Sequence, residues 1–182
     1  MKRFYICSYG GCGSTMLTNL LEQFGEAYHI HDRFPKKELY LPEGEHFGDE
    51  LDTNPESKIV FIYSAPEYSM ATSCAWGVQH WRNIGISCPE SIELNKEKYA
   101  KDNFDHIRFE EFFDNYYLNP RTYNVIFVNY HSLWEVQREL FCLLGIEATL
   151  PAYKNKERKI YKMECLDGFN KRLEMLPKLF IN

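Results

Sequence analysis

The chain has 182 residues, 45% of them apolar and 16% aromatic, so it can bury a sizeable core, and a disordered tail is excluded. Its formal charge of −5 argues against a dedicated nucleic-acid binder, which would carry a basic excess. Any anionic ligand must therefore be held by local groups against the overall field.

Phe4-Tyr5-Ile6-Cys7 is an apolar run that ends in a glycine bend, the pattern of a buried parallel strand starting near Arg3. Ser14 or Thr15 can cap the helix that follows. Met16, Leu17, Leu20, Leu21 and Phe24 recur along it at helical spacing, and Gly25 fits its stop. Ala27 to His31 reads as a second short strand leading into His31-Asp32-Arg33. Residues 35 to 57 hold three prolines and two glycines among many charges and read as loop or irregular crossover.

Lys58 to Ser64 is β-branched, aromatic and unbroken, the clearest strand in the chain. Pro66 then suits the first turn of a helix running to about Trp81. Cys88 to Lys101 is polar and ambiguous, whereas Phe104 to Tyr117 has a helical, aromatic-rich pattern. Tyr123 to Tyr130 is a third good strand. A helix carrying Leu133, Val136, Leu140, Leu143 and Leu144 ends at Gly145, and a basic loop after Pro151 leads to a final amphipathic helix. Strands alternating with helices, without repeats, give an α/β fold expected as one three-layer α/β/α domain over residues 1–182, with a short, mainly parallel sheet.

The six cysteines form no CxxC pair or framework and read as free thiols of a reducing compartment. No secretory signal precedes the first strand and no apolar run reaches membrane-spanning length. The expectation is a soluble cytoplasmic protein without membrane or nucleic-acid partners.

The chemistry concentrates at Ser8-Tyr9-Gly10-Gly11-Cys12-Gly13-Ser14-Thr15. A tight glycine turn after a parallel strand lets backbone N–H groups converge, and the helix N-terminus behind it favours an anion. Gly10, Gly11 and Gly13 permit close approach, while Ser14 and Thr15 add hydroxyl donors. Cys12 stands where a helix N-terminus would lower a thiol's pKa, or is simply a small residue in the turn. The Walker A pattern GxxxxGK[ST] needs a lysine just before its hydroxyl residue, and that place is Gly13. An ordinary ATP- or GTP-hydrolysing machine is disfavoured.

With two further blocks added, the chain resembles the sulfotransferase superfamily. Gly10 to Leu17 resembles that family's 5′-phosphosulfate loop, often written P-K-S-G-T-T or R-S-G-S-S. Ile59 to Pro66, with Thr72 or Ser73 downstream, is similar to the 3′-phosphate motif, in which a strand ends in R-x-P and a serine follows on the helix. Val125 to Leu133, continuing to Leu144-Gly145-Ile146, is similar to the late "YEDL … FLGI" strand and helix. The likeness runs in order from Phe4 to about Lys159. It implies a P-loop-like fold that binds 3′-phosphoadenosine 5′-phosphosulfate as co-substrate, without metal, and a small-molecule or glycan acceptor.

By that resemblance Gly10, Gly11, Cys12, Gly13, Ser14 and Thr15 would hold the 5′-phosphosulfate, and Ser64, Thr72 and Ser73 the 3′-phosphate. Two departures stand out: the family's loop lysine or arginine falls on Gly11, and its 3′-phosphate arginine falls on Ser64. Each missing cation removes a charge-assisted hydrogen bond of about 1.5–3 kcal/mol. Lys154, Lys156 and Arg158 in the late basic loop are the candidate replacements, with Arg82 another, against the alternative of a solvated charged turn.

For the base that accepts the acceptor's proton, His31 comes first, since imidazole titrates near neutrality, and Asp32 second. His29-Ile30-His31 offers two metal ligands, but no third or fourth stands at suitable spacing. Three readings stay open: a sulfotransferase, a degenerate nucleotide- or partner-binding member of the same fold, and a lysine-less nucleotide kinase.

Overall fold

The structure is a computed structural model that describes residues 1–31, 33, 40–43, 46–51, 54–76, 103–105, 107–154, 160 and 162–182, without side chains at 40–43, 46–51 and 72–76. The chain is α/β, built on a five-stranded, mostly parallel sheet. β1 (Arg3–Cys7) leads through the glycine loop into α1 (Ser14–Leu21) and then β2 (Glu26–Ile30). β3 (Tyr40–Glu43) and β4 (His46–Leu51) form a separate antiparallel pair. β5 (Ser57–Tyr63) is followed by α2 (Pro66–Trp76), α3 (Phe109–Tyr117) and β6 (Val125–Asn129). A 3₁₀ turn at Tyr130–Ser132, α4 (Gln137–Leu144), a second 3₁₀ turn at Glu164–Leu166, α5 (Asp167–Met175) and β7 (Leu179–Ile181) complete the order.

The main sheet runs β2-β1-β5-β6-β7. β1 pairs in parallel with both β2 and β5, β5 in parallel with β6, and β7 closes the edge antiparallel to β6. Phe4, Tyr5 and Ile6 are fully buried, as are Val60, Phe61, Ile62, Val125 and Phe127, the continuous burial of a parallel sheet covered on both faces. Phe112, Phe113 and Tyr116 of α3 pack their rings on Phe61, and Phe113 also meets Phe127.

Several expected elements shift. Gly13, in the left-handed region at φ 78°, is the N-cap of α1, so Ser14 and Thr15 lie inside the helix instead of capping it. α1 stops at Leu21 with Glu22 as its C-cap. Gly25 serves another purpose, since a Cβ there would lie 2.3 Å from the Lys2 carbonyl where β1 and β2 begin to pair. Residues 35 to 57, expected as loop, include the β3–β4 pair.

α3 begins at Phe109, five residues later than its aromatic pattern, because Asn103 (φ 44°) and Arg108 (φ 57°) turn the chain out of helical conformation. The stretch expected as one helix from Leu133 starts at Gln137, after the 3₁₀ turn, and Gly145 caps it at φ 67°. β7 was not foreseen. The Cys88–Lys101 stretch lies outside the described residues. Among the described residues, no helix is long and apolar enough to cross a membrane.

Candidate functional site

The order β2-β1-β5 makes the gap between β1 and β5 the place where successive connections leave in opposite directions. Ligands of open α/β sheets bind outside the carboxyl ends of the strands at such a point. Here two segments emerge side by side: the glycine loop after β1 and Ser64-Ala65-Pro66 after β5. Tyr9 ties them together. Its ring is buried against Phe61, Phe109 and Phe112, its hydroxyl donates to the Ser64 carbonyl, and the Ser64 N–H donates back to it at 3.0 Å.

The loop bends through Gly10 (φ 89°), Gly11 (φ 71°) and Gly13 (φ 78°). No side chain caps the first turn of α1, and no acidic residue lies in it. That leaves the positive end of a helix dipole facing the crevice without an internal anion. Part of the loop's own hydrogen bonding is already used. The Gly10 N–H donates to Ser8 Oγ at 3.2 Å, and the Cys12 thiol turns inward to donate to the Ile62 carbonyl at 3.2 Å.

Burial dominates the Cys12 thiol and pushes its pKa up to about 12, although hydrogen bonds from Ser8, Ser69 and the Gly10 and Cys12 amides act in the opposite direction. Of the two expectations for Cys12, the low-pKa thiol is overturned and the small residue packed into the turn stands: desolvation outweighs the helix terminus. Alkylating the native protein at about pH 8 should modify exposed Cys142 and leave Cys12 intact until the chain unfolds. Peptide mass spectrometry after a timed iodoacetamide pulse reads the order directly.

Ser14 is buried, with its hydroxyl 2.9 Å from Ser8 Oγ and 2.6 Å from His29 Nε2, while Thr15 is exposed. His31 Nδ1 lies 2.7 Å from the Ser8 carbonyl. A carbonyl can only accept, so this nitrogen carries a proton, and in the neutral ring Nε2 would hold the lone pair that a base needs. The two imidazoles meet edge to face, with centroids 4.3 Å apart. Asp32 lies outside the described residues.

Ser64 is fully buried, with its hydroxyl 2.6 Å from Ser69 Oγ. Its burial, more than that bond, keeps the hydroxyl from a phosphate, which could meet it only if the strand end rearranged. Thr72 and Ser73 belong to α2, with side chains that are not described. Lys154 is exposed and follows Tyr153, whose ring meets Trp134 at 4.7 Å. Trp134 in turn meets Tyr130 at 5.6 Å. Lys156, Arg158 and Arg82 lie outside the described residues.

Sequence reasoning missed two of the loop's neighbours. Tyr130 leaves the end of β6 and lies so close to Gly13 that an added Cβ would be 2.5 Å from its ring. Tyr68 and His131 continue this aromatic wall, their rings 4.5 Å apart, and burial lowers the His131 pKa below its ordinary value. His29 is the other. The signal was available, since residues two apart along a strand share a face and His29 must point the same way as His31.

Among the described residues, no group of three or more His, Cys, Asp or Glu side chains could hold a metal ion. No protein-family model, curated protein or solved structure matches this chain.

Proposed function

We propose that this chain is a divergent, P-loop-like, three-layer α/β/α enzyme of the sulfotransferase type. It moves a sulfuryl group from 3′-phosphoadenosine 5′-phosphosulfate to a hydroxyl or amine on a small molecule or glycan. The observation that carries the reading is the left-handed glycine loop, feeding an uncapped helix at the β1/β5 crevice and tied by Tyr9 to the Ser64 strand end. This arrangement favours a multiply charged oxyanion through backbone dipoles.

In this reading the Gly11–Thr15 stretch receives the 5′-phosphosulfate, the Ser64 end and α2 receive the 3′-phosphate, and Lys154 approaches from the Tyr153 side. His31 Nε2 takes the proton from the acceptor as its oxygen or nitrogen attacks sulfur. The bond between sulfur and the bridging oxygen breaks, and the adenosine bisphosphate leaves with its electron pair. Sulfuryl transfer parallels phosphoryl transfer in asking the protein mainly for alignment and charge stabilisation.

A second reading is a nucleotide-binding member of the same fold that does no chemistry. The inward Cys12 thiol favours it, because the thiol occupies hydrogen-bonding capacity on the inner side of the bend. Calorimetry with adenosine 3′,5′-bisphosphate should detect binding at about micromolar to tens of micromolar, and absence of binding at millimolar concentration removes both readings. Transfer of labelled sulfate to a panel of hydroxyl and amine acceptors then separates enzyme from binder.

A further inference from the structure

We propose that Arg33, Asp105 and Asn170 form the acceptor subsite and that it takes a hydroxyl-rich acceptor, a sugar or other polyol, in preference to an amine. The word acceptor rests on the sulfuryl-transfer reading; the binding of a polyol does not. Arg33 stands three residues beyond the end of β2, at the carboxyl end of the sheet where Tyr9 and Ser64 also emerge. It is only 8% exposed. Among the described residues its guanidinium makes one bond, from Nη2 to the Ile107 carbonyl at 3.2 Å, and pairs with no carboxylate. Nε is buried without any partner. An arginine so buried is normally paired.

The bond to Ile107 seats the guanidinium on the turn that the Arg108 N–H closes onto the Asp105 carbonyl at 3.1 Å. The Asp105 carboxylate acts on Arg33 through space without pairing with it. The first-turn amides of α3 also act on this carboxylate, yet its Oδ1 is buried without a partner. A third such atom lies on α5: Asn170 Nδ2 donates to Glu67 Oε1 at 2.6 Å, while Asn170 Oδ1 is buried and unbonded. These groups share one neighbourhood, since Asp105 and Glu67 both act on the Cys165 thiol and Glu67 also acts on Tyr9.

One donor, Arg33 Nε–H, and two acceptors, Asp105 Oδ1 and Asn170 Oδ1, are thus unmet, each at a cost of about 1–3 kcal/mol. An ammonium only donates and would leave Arg33 unmet. A carboxylate or phosphate only accepts and would leave Asp105 and Asn170 unmet. A hydroxyl does both: it accepts from Arg33 and donates to Asp105, and a neighbouring hydroxyl donates to Asn170. The charges around Arg33 agree, because Arg33 and Arg108 balance Asp105 and Glu111, so no net charge selects an ion there. Arg33 also lies two residues from His31, a backbone span of at most about 7 Å, which brings a further hydroxyl of the same molecule within reach of the base.

The test uses the full, isotope-labelled chain and follows the Arg33 Nε–H resonance by NMR. Glucose, galactose and myo-inositol serve as polyols, acetate and methylamine as ions. At least one polyol should shift that resonance saturably at millimolar concentration, and neither ion should. Arg33→Met should weaken that polyol at least about tenfold and leave the affinity for adenosine 3′,5′-bisphosphate unchanged. The wild-type titration decides even where that variant does not fold. No shift with any polyol, a shift with either ion, or polyol affinity retained in Arg33→Met overturns the proposal. Bisphosphate affinity that falls in a folded Arg33→Met chain overturns it too, by placing Arg33 in the donor site. A polyol that binds where the bisphosphate does not overturns the donor reading instead and leaves the polyol site standing.

Discussion

Gly13→Val should destabilise the fold by roughly 2–5 kcal/mol and abolish binding of adenosine 3′,5′-bisphosphate. Two separate costs add. Gly13 sits at φ 78°, where a β-branched residue is strained whatever space surrounds it. Its Cβ would also lie 2.5 Å and 2.8 Å from two carbons of the Tyr130 ring. That ring cannot retreat freely, because it is bracketed by Trp134 at 5.6 Å and Tyr68 at 6.0 Å.

Urea denaturation of Gly13→Ala, Tyr130→Ala and the double variant separates the costs. The double variant should recover the steric share and keep a residue of about 1–3 kcal/mol from the left-handed backbone. Additive losses would show that Tyr130 does not press on the loop. Binding that persists in a folded Gly13→Val chain would place the ligand elsewhere.

The strands of the parallel core were legible for a physical reason. Segments such as Lys58–Ser64 are buried on both faces, so their apolar runs are continuous and need no register to be recognised. The structured part of 35–57 was not legible, because prolines and charges signal turns and the β3–β4 pair has no apolar run of its own. β7 spans three residues, too few to show a period, and is fixed by its partner: the Val125 and Asn182 backbones exchange hydrogen bonds of 2.8 and 3.0 Å.

The site was legible only in part. Glycine spacing marks the bend, because φ beyond +60° is a local demand that the sequence must meet. Which way Cys12 points is not local: it depends on the Ile62 carbonyl, fifty residues away. The partnership of His29 with Ser14 depends likewise on β1 pairing with β2 in one register, Ile6 opposite His29. Tyr9, buried by β5 and α3, reads in the sequence as a loop residue and acts in the structure as the tie between two strand ends.

Phe61→Ala should cost about 3–5 kcal/mol, the range for truncating a fully buried aromatic residue, and should loosen the crevice as well as the core. Phe61 meets Phe112, Phe113, Tyr116 and Phe127, with centroids between 4.7 and 6.0 Å. It also meets Tyr9 edge to face at 6.0 Å, so the residue that ties the glycine loop to Ser64 leans on the same ring. Phe61→Leu keeps most of the volume and should cost less than half as much.

If core and loop are mechanically joined, the bisphosphate affinity of Phe61→Ala should drop in conditions where the chain is still folded, and the Tyr9–Ser64 bond should exchange faster. Amide hydrogen exchange at Ser64 reads this directly, since its N–H is held by the Tyr9 hydroxyl at 3.0 Å. Tyr9→Phe should raise exchange at Ser64 as much or more while sparing most of the stability lost in Phe61→Ala. Equal protection of Ser64 in wild type and Phe61→Ala would mean that the loop is fixed independently of the aromatic core.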